Sequence, residues 1–374
     1  MKNIAFILGT RPEIIKLAPV IIELKKDNDY KVTVINTEQQ KELSHQTLSY
    51  FGLKADYSLD CMRENQSLSE VQARIMISLE NIYNQEIFDA TIIQGDTITV
   101  LCGALTSFYH KIPVFHVEAG LRSYNKYEPF PEEIMRQMTS RIADIHFAPT
   151  NKNKIDLLKE NIDKNKISVV GNTVVDALFC LSDEIIEKSN KFFKDKNIII
   201  DDKIVLITAH RRENHGKRID KIIDAVLVLA NKYKDHKFII PVHPNPNVHD
   251  KIYSAFSKEN NVYLLEPLDY PHLVYLMKNA KLILTDSGGI QEEAPTFACP
   301  TLVMRYETER KEGIDVGVSK LVGADCKKII YESEQILSKS KINTRSKLKN
   351  PYGDGKSSKR IKKIIKNYFK NKGE

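Results

Sequence analysis

Several short segments of this chain combine acids, cations and bare backbone in ways that suit chemistry on an anionic ligand. In residues 282–297, LILTDSGGIQEEAPTF, an apolar run stops at Asp286 and Ser287, two glycines follow, and Glu292 and Glu293 come within four more residues, ahead of Pro295. Glycines let a backbone approach a ligand closely, and the free N–H groups and dipole of a helix N-terminus favour an anion. Ser287, Gly288 and Gly289 therefore suit a diphosphate. Glu293, one helical turn later, is placed to accept hydrogen bonds from ribose hydroxyls. That describes a nucleotide-sugar site.

Other apolar runs end on similar chemistry. LGTRPEIIK brings Arg11 and Lys16, IQGDT brings Asp96, FHVEAGLRS brings Glu118 and Arg122, and PFPEEIMRQ brings Glu132, Glu133 and Arg136. Further on, ITAHRREN brings His210, Arg211, Arg212 and Glu213, and PVHPNP brings His243. Carboxylates gather in the first half, whereas hydroxyl, glycines and histidine gather in the second. On local grounds Asp96 reads equally well as a helix N-cap, and Pro131 with Glu132 and Glu133 as an ordinary first helical turn. Neither His210 with His215 nor His243 with His249 has an HExxH-type spacing, and no cysteines assist, so a metal is not expected. GTRPE is not GxGxxG followed by an acid about twenty positions on, so the pattern does not indicate a tightly bound NAD.

The elements that must position these residues follow from the periodicity. In the first half NIAFIL, KVTVIN, ATIIQG, PVFHVE and IHFAP read as strands, separated by helical periodicity over residues 12–26, 66–84, 97–109 and 132–142. The pattern restarts with KISVVGN leading to a helix, then KIVLITA, KFIIPV, NVYLLE, KLILTD and PTLVMR. This predicts an α/β protein of two Rossmann-like, doubly wound domains with a cleft between them, in which ligands sit at the carboxyl ends of the strands. The turn at VVGNT places the boundary near Gly171, giving an N-terminal domain over 1–170 and a C-terminal domain over 171–355.

A length of 374 residues suits two domains, and 42% hydrophobic with 28% charged residues is the composition of a soluble globular protein. No apolar run reaches the roughly 18 residues of a spanning helix, and MKNIAFILGT is too short an apolar run for a signal peptide and reads as a first strand. Cys61, Cys102, Cys180, Cys299 and Cys326 form no CxxC pair and point to reduced thiols in the cytoplasm. The net charge of +7 resides in the final segment, KSSKRIKKIIKNYFKNKGE, with eight Lys/Arg and one Glu. There Ile361, Ile364, Ile365, Tyr368 and Phe369 make the stripe of an amphipathic helix, expected to pack on the body over 356–374 with a solvated basic face. With the excess so confined, and no aromatic platform elsewhere, neither nucleic acid nor membrane is expected as a partner.

GTRPEIIKLAPV, IQGDT, HVEAGLRS, FPEE, GNTVVDAL, TAHRREN, PVHPNP and TDSGGIQEEAP occur in this order across nearly the whole chain, which closely resembles the non-hydrolysing UDP-N-acetylglucosamine 2-epimerases. The resemblance implies a GT-B type fold, usually a homodimer, a C-terminal helix returning to the first domain, and interconversion of UDP-N-acetylglucosamine and UDP-N-acetylmannosamine with no added cofactor. It implies an acid/base set of Asp96, Glu118 and Glu132, with Lys16 nearby. His210, Arg11, Arg136, Ser287, Gly288, Gly289 and Arg310 would serve the UDP moiety and substrate, and Glu293 the ribose.

This sequence departs from that pattern in places. TEQQKEL stands where the family commonly reads TGQH, and Asn65 where many members carry an arginine, in segments that resemble a second, activating UDP-N-acetylglucosamine site. An arginine is a fixed fork donor suited to phosphate, and its loss leaves Gln39, Gln66 and His243 as the candidates there. Lys311 replaces a proline in YETERKEGID and Met135 an asparagine in the PEE helix. A hydrolysing epimerase, an epimerase of a modified UDP-N-acetylhexosamine, and a GT-B glycosyltransferase or nucleotide-sugar sensor are the alternatives. The carboxylates on the non-nucleotide side argue against the last pair.

Overall fold

Ile4 to Leu8 of strand β1 (Lys2–Leu8) are completely buried. A parallel strand covered by helices on both faces has no solvent side, so its sequence is continuously apolar rather than alternating. The same logic produces the buried stretches of β2 (Tyr30–Asn36), β4 (Ala90–Gln94), β5 (Val114–Val117) and β6 (Ile145–Ala148), each matching a run read as a strand; β7 (Ile167–Val169), from the KISVVGN run read as the restart of the pattern, instead closes the edge of this first sheet with Val169 exposed. A two-residue strand β3 (Tyr57–Ser58) adds an edge that is too short to leave a periodic signal. All pairings are parallel, in the order β3-β2-β1-β4-β5-β6-β7.

A second parallel sheet contains β8 (Ile204–Thr208), β9 (Lys237–Pro241), β10 (Val262–Leu265), β11 (Leu282–Thr285), β12 (Thr301–Val303) and β13 (Ser319–Leu321). Its order is β10-β9-β8-β11-β12-β13. In each sheet the order reverses once, between β1 and β4 and between β8 and β11. At such a switch point the adjacent helices depart to opposite faces and leave the strand ends open to a ligand.

The structure, a computed structural model, describes residues 1–339 and 350–371; residues 340–349 of the segment read as the second domain, and the last three positions of the expected 356–374 helix, lie outside it. Two units emerge from the contacts, one joining Met1–Cys180 to the segment from Gly353, the other Leu181–Tyr352. The first unit includes the helix Thr173–Leu178, beyond Gly171, because that helix packs on the helix Arg11–Lys25. The helix Ser357–Asn371 also packs on Arg11–Lys25, with Ile361 and Ile365 fully buried. Asp176 anchors its start, accepting from the Ser357 and Ser358 N–H groups at 3.1 and 2.8 Å. Lys362 and Lys366 on its basic face reach Asp27 and Asp29 at 3.2 and 3.5 Å.

Helix boundaries fall within one or two residues of the periodic segments, and caps explain the offsets. Ser67 caps Leu68–Tyr83 in a reciprocal box with Glu70, so that helix starts two residues later than its periodicity suggests. The helix expected to begin at Thr97 begins at Ile98 with Thr97 as N-cap, which releases Asp96 from the capping alternative. Among the described residues no helix is long and apolar enough to cross a membrane.

Candidate active site

In the first unit the functional side chains rise from the loops after β1, β4 and β5. Lys16, in the second turn of the helix Arg11–Lys25, places its Nζ 2.6 Å from Glu118 Oε1 and 2.7 Å from Oε2. Gln94, the last residue of β4, donates to Glu118 Oε2 as well. Glu118 has φ +63, a left-handed conformation that L-residues adopt at a cost and that clusters at functional sites. Asp96 is ion-paired to Arg136, which also reaches Glu133 at 3.2 Å. Glu133 accepts from the Ser123 and Tyr124 N–H groups at 3.0 and 3.1 Å and from Gln137 at 2.9 Å. Burial pushes the Glu133 carboxyl up, but those donors and Arg136 outweigh it and hold it below the usual carboxylate range. Beside it Glu132 keeps one buried carboxylate oxygen with no hydrogen-bond partner among the described residues.

Two residues absent from the sequence reading hold these loops. Glu13 accepts from the Gly9 and Thr10 N–H groups and from the Thr97 hydroxyl. His116 Nε2 lies 2.7 Å from the Gly95 carbonyl. Burial pushes the His116 imidazole down to about 4, so at neutral pH it carries one proton and donates it to that carbonyl. Arg122, which the sequence brings to the same strand end, is committed elsewhere: it forks onto Glu160 at 2.6 and 2.8 Å and reaches Ser140 at 2.9 Å.

In the second unit the organising group is Asp286, which is fully buried. It accepts from the His210 N–H at 3.0 Å, the Arg211 N–H at 2.9 Å and the Asn214 amide at 2.9 Å, with His210 Nδ1 at 3.4 Å. One carboxylate thus ties the loop after β8 to the loop after β11. Burial holds the His210 imidazole below its ordinary value, against the opposing pull of Asp286, and its ring stacks on His243 at 5.5 Å and 12°.

The helix Gly288–Glu293 follows at once, with Ser287 as N-cap. A Cβ on Gly288 would stand 3.0 Å from Arg310 Cζ and 3.3 Å from Arg211 Nη2, so two guanidinium groups converge on bare backbone there. Arg310 is held by Glu292 at 3.1 Å and by Glu309. Burial raises the Glu309 carboxyl, but Arg310, Arg305 and Arg211 outweigh it and bring it to about 2. Glu293 is 7% exposed on this helix.

The sequence-read residues therefore assemble into two groups. Lys16 pairs with Glu118 and Asp96 with Arg136 in the first unit, with Glu132 in the first turn of the helix that carries Arg136. His210, Ser287, Gly288, Gly289, Glu293 and Arg310 lie on adjoining loops and one helix of the second. Arg11 opens the first-unit helix, its N–H donating to Gln40 at 2.9 Å. Gln39 accepts from Thr99 at 2.9 Å, next to Gly9, where a Cβ would clash with the Thr37 hydroxyl. Gln66 accepts from the Arg63 N–H at 2.9 Å and from Arg74. His243 adjoins His210. Glu13, His116 and Asp286 lay in motifs already picked out, GTRPE, FHVE and TDSGG. Their burial was the missing signal.

Two doubly wound sheets, with bare backbone flanked by guanidinium groups at one switch point and cation-braced carboxylates at the other, define a nucleotide-sugar protein of the GT-B type. The family profile described as UDP-N-acetylglucosamine 2-epimerase matches residues 22–366. The chain belongs to that family and is an isomerase of its kind. It is 44% identical over 371 residues to the UDP-N-acetylglucosamine 2-epimerase of Neisseria meningitidis serogroup A, covering 96% of this chain and 98% of that one. The crystal structure of a Neisseria meningitidis UDP-GlcNAc 2-epimerase bound to UDP-GlcNAc superposes with a TM-score of 0.87 at 43% identity, over 98% of this chain and all of the other. The Methanocaldococcus jannaschii enzyme in complex with UDP-GlcNAc and UDP gives 0.82 at 37% identity, over 98% of this chain and 99% of that one.

Proposed function

We propose that the protein interconverts UDP-N-acetylglucosamine and UDP-N-acetylmannosamine without hydrolysis, supplying N-acetylmannosamine units for a surface polysaccharide. The C2 hydrogen of the sugar is not adjacent to a carbonyl carbon, so a lone base would remove it too slowly. Breaking the C1–O bond to UDP makes C1 oxocarbenium-like and acidifies C2–H. Loss of that proton with departure of UDP gives a 2-acetamidoglucal. Re-addition of the UDP oxygen at C1, with a proton delivered to C2 on the opposite face, gives the epimer. The path is redox-neutral and calls for no nicotinamide.

Such a path needs carboxyl groups to move the proton and cations to steady the departing diphosphate. Asp96, Glu118 and Glu132, with Lys16, fill the first role, Glu118 braced by Lys16 and Asp96 by Arg136. His210, Arg11, Arg136, Arg310, Ser287, Gly288 and Gly289 serve the nucleotide and its phosphates, and Glu293 the ribose. The observation that carries the reading is the doubly braced pair of carboxylates, Glu118 on Lys16 and Asp96 on Arg136, in a chain that also has the Gly288 seat. A sensor or a glycosyltransferase has no use for both. We further infer a cytoplasmic homodimer; the five free thiols support the compartment, and a solution mass tests the assembly.

Incubation with UDP-N-acetylglucosamine in deuterated water, followed by proton NMR, tests the reaction. Loss of the C2 proton signal with growth of UDP-N-acetylmannosamine is expected. Free N-acetylmannosamine with UDP would identify the hydrolysing alternative, and an unchanged spectrum would point to a modified UDP-N-acetylhexosamine or end the reading.

A further inference from the structure

Glu13 sits in the first turn of the helix Arg11–Lys25 and is 1% exposed. Its hydrogen-bond donors are all neutral: Gly9 N–H at 2.7 Å and Thr10 N–H at 3.1 Å on Oε2, and the Thr97 hydroxyl at 2.5 Å on Oε1. The contact with Thr10 is half of a capping box, which Gln serves as well as Glu. What the box does not explain is the second oxygen, turned inward across the switch point between β1 and β4. It meets the residue that directly follows Asp96. One turn further along the same helix, Lys16 holds Glu118 from the loop after β5. A single helix start therefore grips both loops that carry acid/base candidates.

We propose that Glu13 is a positioning residue for the epimerisation, holding Asp96 in register with Lys16 and Glu118 through the Thr97 hydroxyl. This rests on the epimerase reading of the site. A carboxylate can only accept, so the Thr97 hydroxyl must donate to it and its rotor is fixed. An amide in the same place keeps its oxygen towards Gly9 and Thr10 and turns its NH2 onto Thr97, which must then accept. Glu13→Gln thus preserves volume and the capping box while reversing the one contact that matters. Burial also pushes the Glu13 carboxyl up to about 7, against the lowering effect of its donors, so the contact changes character within the neutral range. The charged and titratable groups of its own helix are Arg11, Lys16, Glu23 and Lys25; those on the helices packed against it are Lys41, Glu42 and His45 on Lys41–Tyr50, Asp176 on Thr173–Leu178 and the basic face of Ser357–Asn371, with Asp96 after β4 and Glu118 after β5.

The test measures kcat and KM of Glu13→Gln for UDP-N-acetylglucosamine across the neutral range, with a crystal structure of the variant. The expected result is a kcat lower by about tenfold, KM within about twofold, and loss of an ionisation near neutrality that the wild type shows. Melting close to wild type would confirm that the fold survives. Wild-type kcat, KM and pH profile in the variant overturn the proposal. The crystal structure decides it separately: displacement of the 95–97 loop is expected, and an unmoved loop overturns the proposal. A wild type that fails to epimerise overturns the functional reading instead, and leaves the loop position to judge Glu13.

Discussion

The Lys16 ammonium spans both oxygens of Glu118, at 2.6 and 2.7 Å, with 11% and 10% of the two side chains exposed. A residue in the first unit's leading helix thus fixes a carboxylate on a left-handed loop residue 102 positions away. Lys16→Met removes the ammonium from that buried carboxylate. Stability should fall by about 3–5 kcal/mol and turnover by about 10²–10⁴-fold. The double variant Lys16→Met/Glu118→Gln should regain much of the stability and none of the activity. Urea unfolding and the NMR assay read both, and an active double variant would remove the pair from the chemistry.

Asp96→Asn keeps the size of the side chain and removes the charge that faces Arg136. Turnover should drop by about 10²–10⁴-fold. UDP affinity, which the proposed function assigns to the second unit, should change by less than about threefold, or roughly 0.6 kcal/mol. Calorimetry with UDP separates the two effects. Full activity in this variant would end the role of Asp96.

Gly288→Ala puts a methyl group 3.0 Å from Arg310 Cζ. The backbone there is not left-handed, so the fold should tolerate the change while the guanidinium is displaced from the seat. UDP binding should weaken by about tenfold, or about 1.4 kcal/mol, with little change in melting temperature. Undiminished affinity would place the diphosphate elsewhere.

His116 and His146 are register neighbours on β5 and β6, and burial pushes them down to about 4 and about 3 from an unfolded value near 6.5. The unfolded chain therefore takes up protons first, so the stability they contribute is complete above about pH 6.5 and is lost as pH falls towards their folded values. Glu13, raised from 4.5 to about 7, acts in the opposite sense, since its contribution is complete below 4.5 and is lost as pH rises to 7. Two imidazoles outweigh one carboxyl, so this trio loses stability from pH 6.5 down to 4.5. Among the described residues His146 makes no side-chain hydrogen bond and its ring has polar contact only with the Ala143 backbone, which makes His146→Leu a usable probe. It should flatten the acid slope by about 1.4 kcal/mol per pH unit. Denaturant unfolding at neutral and mildly acid pH would detect this, and an unaltered slope would mean that His146 is not held neutral.

The sequence by itself determined the class of fold, because strands buried on both faces and helices buried on one leave different apolar periods. The candidate anion seat was also legible there, since Ser287, Gly288 and Gly289 are contiguous and lie at one strand-to-helix turn. β3 and β13 leave no apolar run because they are short and partly exposed, YS and SKL, unlike the equally short but fully buried β12. Asp96 was undecidable locally: beside Thr97 it reads as a cap, and only the packing of a helix carrying Arg136, 40 positions on, makes it one half of an ion pair. Asp286 likewise draws its donors from 72 to 76 positions upstream, and Glu13 meets Thr97 at a separation of 84. Strand order decides such meetings, by setting β1 against β4 and β8 against β11. A periodic pattern shows which residues are buried; it does not show which strands become neighbours, and a buried charge acquires its role from the neighbour that strand order supplies.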